Sequence, residues 1–163
     1  MLTYLLLDLL KKSSPSRVIT VASSIEKHAK LNLRDLNLKF SWNGYLAYAN
    51  SKLCNILFTY ELAEKLTGTG VTANCLGPGL VNSELFRDVE KLPWFFKVIK
   101  TLIGKTPEQG AETSLYLALS PEAEGVSGCY FENCKQKKTS EMSYNKEIAK
   151  KLWEISMKLC GLE

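Results

Sequence analysis

Tyr48 and Lys52 stand four residues apart in the run Tyr48-Ala49-Asn50-Ser51-Lys52. On an α-helix that spacing puts both side chains on one face, where a phenol and an ammonium can work on the same small molecule. A phenol near its ordinary pKa of about 10 gives up its proton poorly at neutral pH. A cation beside it stabilises the phenolate and makes the group usable in general acid–base catalysis. The pair alone is weak, because chance supplies Tyr-x-x-x-Lys in roughly half of sequences of this composition. Two further groups give it weight: Ser23-Ser24 follows the apolar run 17–22, and Pro78-Gly79 with Ser83 follows the run 71–76. A hydroxyl near the tyrosine can hold a carbonyl oxygen while the tyrosine moves the proton.

Positioning those groups takes a strand, a helix and a strand in that order. The run 17–22 is β-branched and apolar on both faces, the pattern of a strand buried inside a parallel sheet. Residues 25–44 are polar and mixed, a long loop of the kind that is either functional or disordered. The spacing then predicts a helix over 45–66 with two stripes. Leu53, Ile56, Leu57 and Tyr60 recur at i, i+3, i+4 and i+7 and face the core, while Tyr48, Lys52, Asn55 and Thr59 form a polar stripe on another side. Thr67-Gly68-Thr69-Gly70 ends the helix, 71–76 is a second buried strand, and Gly77-Pro78-Gly79 turns the chain. This is a βαβ unit with a right-handed crossover, and open α/β sheets place their ligands at the carboxyl ends of the strands. All three candidate groups fall at that end.

Around the unit, residues 1–12 form an apolar helix closed by Lys11 and Lys12. Residues 92–103 keep helical apolar spacing, and Thr106-Pro107 opens a helix that runs to 119. A third short strand is expected over 129–131 and a closing amphipathic helix over 142–159. At 163 residues the chain suits a single domain, 1–163.

Composition excludes several functions. A net charge of +4, with the lysines spread along the chain, argues against nucleic acid, as does the lack of any zinc-finger, basic-zipper or RNA-binding signature. One histidine and no Cys-x-x-Cys leave no metal site, and His28 is expected as a solvated loop residue. The five cysteines, Cys54, Cys75, Cys129, Cys134 and Cys160, are odd in number and lie mostly in apolar runs, as in a reduced intracellular protein. No apolar run reaches the ~20 residues needed to span a bilayer.

The chain resembles the short-chain dehydrogenase/reductase family and, within it, the retinol dehydrogenase branch. The resemblance rests on residues 17–24 with the closing serine pair, on 48–58 with the Tyr-Lys motif, on 68–72, on Pro78-Gly79 to Ser83-Glu84-Leu85, and on Gly110-Ala111-Glu112-Thr113. It implies an α/β fold: a partial Rossmann-like, doubly wound parallel sheet that corresponds to the carboxyl-terminal half and lacks the amino-terminal nucleotide-binding strands. It implies Tyr48 as general acid for carbonyl reduction and base for alcohol oxidation. Lys52 would lower the tyrosine's pKa and hold the nicotinamide ribose, and Ser24, the second of the pair, would hydrogen-bond the substrate oxygen. Pro78, Gly79, Leu80, Val81 and Ser83 would line the nicotinamide end of an NADP site. The family's Thr-Gly-x-x-x-Gly-x-Gly turn is absent from these residues, and Gly77-Pro78-Gly79 cannot replace it because Pro78 has no amide to donate. Gly77 stands where the branch often has histidine.

The function expected by resemblance is an NADP(H)-dependent oxidoreductase, here truncated, that interconverts a lipophilic alcohol and carbonyl of the retinol/retinal type. The alternative is a non-catalytic interaction or dimerisation module. The resemblance assigns helices 45–66 and 108–119 to a dimer interface, which would serve a homodimer or pairing with full-length subunits. It also implies association with the endoplasmic reticulum, the chain being otherwise cytoplasmic. Segment 92–105 is either a membrane-surface helix or a wall over the substrate pocket. With the preceding strands missing, strand 17–22 is expected to become an open edge.

Overall fold

The computed structural model describes residues 1–40, 42–81 and 104–162. In chain order these form α1 (Leu2–Lys12), β1 (Ser16–Val21), α2 (Gly44–Lys65), β2 (Val71–Leu76), α3 (Pro107–Leu119), β3 (Tyr130–Glu132), β4 (Lys135–Lys137) and α4 (Lys146–Leu159). Single 3-10 turns lie at Ser24–His28, Pro121–Ala123 and Glu141–Tyr144.

Local chemistry sets the helix ends. The Asn43 side chain accepts the Leu46 amide at 2.9 Å and starts α2. Gly68 and Gly70, both at positive φ, carry the chain out of it through a turn that side chains with a Cβ adopt only at a cost. Thr106 caps α3 through a reciprocal pair: its hydroxyl accepts the Gln109 amide, and the Gln109 side chain accepts the Thr106 amide.

The sheet runs β1-β2-β3-β4. β1 and β2 are parallel over six residue pairs from Ser16↔Val71 to Val21↔Leu76, and β3 joins parallel through Cys75↔Tyr130. The expected third strand continues into a hairpin. Asn133 and Cys134, both at positive φ, turn the chain into the antiparallel β4.

Leu53, Ile56, Leu57 and Leu62 of α2 are fully buried, each contributing roughly 1.5–3 kcal/mol. Tyr60 packs beside them against Ala22, Cys75 and Tyr130, completing the expected apolar stripe. α3 covers the other face of the sheet through Leu117, which packs with Leu76 and Phe131. α4 lies outside α2, where Leu152 meets the Leu53–Leu57 cluster and Trp153 stacks on Phe58 at 5.6 Å. It begins at Lys146 rather than 142, because Asn145 caps it and a 3-10 turn takes the preceding residues.

The expected polar stripe of α2 is shorter than its spacing suggests. Thr59 is fully buried, its hydroxyl returned to the Asn55 carbonyl at 2.8 Å, so it belongs to the core. β1 is the open edge anticipated from the sequence: among the described residues it pairs with β2 alone, it is half-buried over Ser16–Thr20, and Val21 is 48% exposed. α1 turns Leu7 and Leu10 inward and leaves Leu2, Leu5, Leu6 and Leu9 exposed.

Candidate active site

Val21 and Leu76 are register partners and the last residues of two parallel strands. The turn carrying Ser23-Ser24 and the turn carrying Pro78-Gly79 therefore leave the same edge of the sheet. α2 is fastened to that edge by two side chains on one carbonyl. Lys52 Nζ donates to the Val21 oxygen at 3.3 Å, and Asn55 Nδ2 donates to it at 3.1 Å. The same ammonium lies 5.5 Å from the centroid of the Tyr48 ring, within cation–π range. Tyr48 and Lys52 are thus brought together, with the cation between the phenol and the strand end.

The two serines are not equivalent. Ser23 is half-buried and its hydroxyl accepts the Ile25 amide at 3.4 Å, whereas Ser24 is exposed at the start of the 3-10 turn. Gly79, at φ +82, opens the second turn, and Val81 bridges to Lys105. The Lys105 amide donates to Leu80 O at 2.8 Å, and its ammonium donates to Asn133. Lys105 thereby lies against Gly79, 3.4 Å from where a Cβ would stand. Nothing in its sequence context, one residue before a helix cap, marks it for that place. Ser83 and most of segment 92–105 lie outside the described residues.

Two further residues escape a motif-based reading. Asn50, inside the Tyr-Lys motif, is buried and pairs with both backbone groups of Lys30, accepting its amide at 2.8 Å and donating to its carbonyl at 3.4 Å. Glu26, 1% exposed, spends both carboxyl oxygens on Ser140: one accepts the amide at 2.9 Å and the other accepts the hydroxyl. A polar chain continues from there. Ser143 donates to Ser140 O at 2.7 Å, Thr139 lies 2.6 Å from Ser143, and Tyr60 lies 3.1 Å from Thr139. Burial pushes Tyr60 and Tyr130 well above the usual phenol range, and the Tyr130 hydrogen bond to Glu132, 2.6 Å, adds to the shift. Both remain neutral hydroxyls at physiological pH. Burial also raises the Cys54 thiol to about 11 and the Cys75 thiol further, so neither is a nucleophile near neutrality. All five cysteines are free, and His28 is exposed with its ring 6.0 Å from that of Tyr45.

Gly77 has a steric reason to lack a side chain. A Cβ there would stand 2.2 Å from the Tyr130 hydroxyl and 2.8 Å from Glu132 Oε1. Gly77→Ala is expected to destabilise the chain by about 1–3 kcal/mol in urea unfolding, and adding Tyr130→Phe should return most of that loss. An unaltered midpoint for the single variant would mean that the hydroxyl yields freely.

Two surface clefts, of about 440 and 590 Å³, lie elsewhere, the first beside Tyr60, Glu64 and Lys146, the second beside Arg17, Thr72 and Gly125. Neither is lined by Tyr48 or Lys52.

The crossover helix thus presents Tyr48 and Lys52 at the end of the sheet from which the Ser23-Ser24 and Pro78-Gly79 turns leave. Over 99% of its length the chain is 47% identical to Retinol dehydrogenase 14, 43% to Retinol dehydrogenase 11 and 42% to Polyprenol dehydrogenase, all of Homo sapiens. It covers 49%, 51% and 51% of those proteins, so it spans about half the length of the curated relatives it matches. Among solved structures, salutaridine reductase from Papaver somniferum matches 80% of the chain at TM-score 0.57 and 26% identity, with half of its own length covered. An uncharacterised protein from Mycobacterium paratuberculosis matches 88% at TM-score 0.66 and 27% identity, again over half of its length. No family model matches the chain. Over nearly its whole length the chain is thus similar to retinol dehydrogenases of the short-chain dehydrogenase/reductase family, and to about half of their fold.

Proposed function

We propose that these residues carry the proton-transfer side of an NADP(H)-dependent oxidoreductase that interconverts a lipophilic alcohol and carbonyl of the retinol/retinal kind. The observation that carries this reading is the Lys52 ammonium, 5.5 Å from the Tyr48 ring at the carboxyl end of two parallel strands. In carbonyl reduction the Tyr48 hydroxyl gives its proton to the substrate oxygen. Ser24 donates a hydrogen bond to that oxygen and stabilises the charge developing on it. Lys52 stabilises the phenolate left behind and holds the nicotinamide ribose hydroxyls, and in the oxidative direction Tyr48 is the base.

The dinucleotide, when bound, supplies or accepts the hydride. Tyr48, Lys52, Pro78, Gly79, Leu80, Val81 and Ser83 would hold its nicotinamide end, where a glycine at positive φ leaves the backbone open to close approach. Nothing in these residues offers a Gly-rich turn to the pyrophosphate, so tight binding needs a half-domain that carries one. The names of the relatives, retinol and polyprenol dehydrogenases, support the lipophilic substrate class.

Titration of NADPH fluorescence tests this reading. Joined to a half that bears the Gly-rich turn, these residues are expected to bind saturably, and Lys52→Met should weaken binding at least about tenfold. Equal affinity in that variant would remove Lys52 from the cofactor site. A second reading, a non-catalytic interaction module, draws on the open β1 edge and the exposed leucines of α1. It leaves Tyr48 chemically inert.

A further inference from the structure

The segment between the Ser24–His28 turn and α2 points leucines inward and aromatics outward. Leu31, Leu33 and Leu36 pack with Leu53 and Leu57, and Leu38 is buried. Phe40, Trp42 and Tyr45 are 92%, 74% and 57% exposed. These aromatics do not sit on a frayed tail. The Asp35 carboxyl group accepts the Lys39 and Phe40 amides at 2.9 and 3.4 Å, Asn50 holds Lys30, and the ring of His28 meets that of Tyr45.

The unengaged charge within this segment has one sign. Lys27, Lys30, Arg34 and Lys39 are exposed, whereas the two acids of residues 24–45 are engaged, Glu26 in the interior and Asp35 on the backbone. Single exposed aromatics need no explanation, but three within six residues, following four exposed cations on the same anchored loop, form a surface of defined chemistry. Trp and Tyr rings settle at the level of lipid headgroups, and clustered Lys and Arg pair with anionic lipid. Tyr45 is also one helical turn before Tyr48, so the patch borders the candidate site.

We propose that residues 27–40, together with Trp42 and Tyr45, form a docking loop for an anionic lipid surface, with the three aromatic side chains entering the headgroup layer. The proposal stands whether or not Tyr48 performs chemistry.

Vesicle flotation of the purified chain tests it. The chain is expected to float with phosphatidylcholine vesicles that contain phosphatidylserine and poorly with phosphatidylcholine alone. Phe40→Ser/Trp42→Ser/Tyr45→Ser and, separately, Lys30→Glu/Arg34→Glu/Lys39→Glu should each lower partitioning at least about tenfold. The fluorescence lost on Trp42→Phe should be the part that shifts to the blue on vesicle binding. The charge-reversal variant changes only exposed side chains and decides the matter if the aromatic variant does not fold. Equal flotation of wild type and both variants overturns the proposal. So does flotation lost on Leu2→Ser/Leu5→Ser/Leu9→Ser and retained in the loop variants, which would assign binding to α1. Binding to polyglutamate with no binding to vesicles likewise overturns it, in favour of an acidic protein partner.

Discussion

Replacing Tyr48 by phenylalanine is expected to lower carbonyl reduction by roughly 10²–10⁴-fold, the usual share of a positioned general acid. The change is narrow. Phenylalanine keeps the ring face beneath the Lys52 ammonium, and Lys52 keeps its bond to the Val21 carbonyl, so the anchoring of α2 to the strand end is untouched. What disappears is the hydroxyl and its proton. The assay is NADPH consumption with a retinal-like aldehyde, in a chain that joins these residues to a Gly-rich nucleotide-binding half. The loss should fall on kcat with KM little altered, because proton donation is an interaction of the transition state. Tyr45→Phe, one turn away and exposed, serves as the control and should turn over at the parent rate. Undiminished turnover in Tyr48→Phe would make the pair an incidental helix-face contact and leave the interaction-module reading in its place.

The parts of this protein that a sequence reader can recover are those set by period and local chemistry. Leu53, Ile56 and Leu57 announce the buried face of α2 because helical periodicity is imposed by packing on a sheet, and the packing is there. The run 17–22 announces a parallel strand through its β-branched residues, and the strand forms over Ser16–Val21. Thr59 misleads because a hydroxyl can satisfy itself on the carbonyl four residues back and then pass as apolar, so polarity at one position does not mark the solvent face. The hairpin to β4 is hidden because its turn uses Asn133 and Cys134 at positive φ, where Gly is the usual signal. Glu26 is the clearest omission. Its partner is 114 positions away, and no local pattern separates a glutamate that binds a distant backbone from one that faces water. Recognising the Tyr-Lys pair needed only spacing, whereas seeing that Lys52 also reaches the Val21 carbonyl needed the fold.

Glu26→Ala should cost on the order of 2 kcal/mol, because it strips the acceptors from two donors of the half-buried Ser140 at once and empties a buried carboxyl site. The loss should not stop at Ser140. That residue precedes the Glu141–Tyr144 turn, which is tied through Thr139 and Ser143 to Tyr60 of α2, so hydrogen exchange over 139–144 should quicken along with the fall in the urea midpoint. Glu26→Gln separates hydrogen bonding from bulk. The amide oxygen can still accept the Ser140 amide, and the amide nitrogen can donate to a serine hydroxyl that rotates to receive it, so most of the stability should return. A midpoint for the alanine variant equal to that of the parent would mean that water replaces the carboxyl group at no cost. The same pair of variants bears on the candidate site, because Glu26 lies two residues after Ser24 on the same 3-10 turn. If the clamp is what holds that turn, turnover in the joined chain should fall in Glu26→Ala under conditions where the variant is still folded, and recover in Glu26→Gln. Stability lost without turnover would confine Glu26 to the fold, and the two lost together, then restored together by the amide, would make it the residue that positions Ser24.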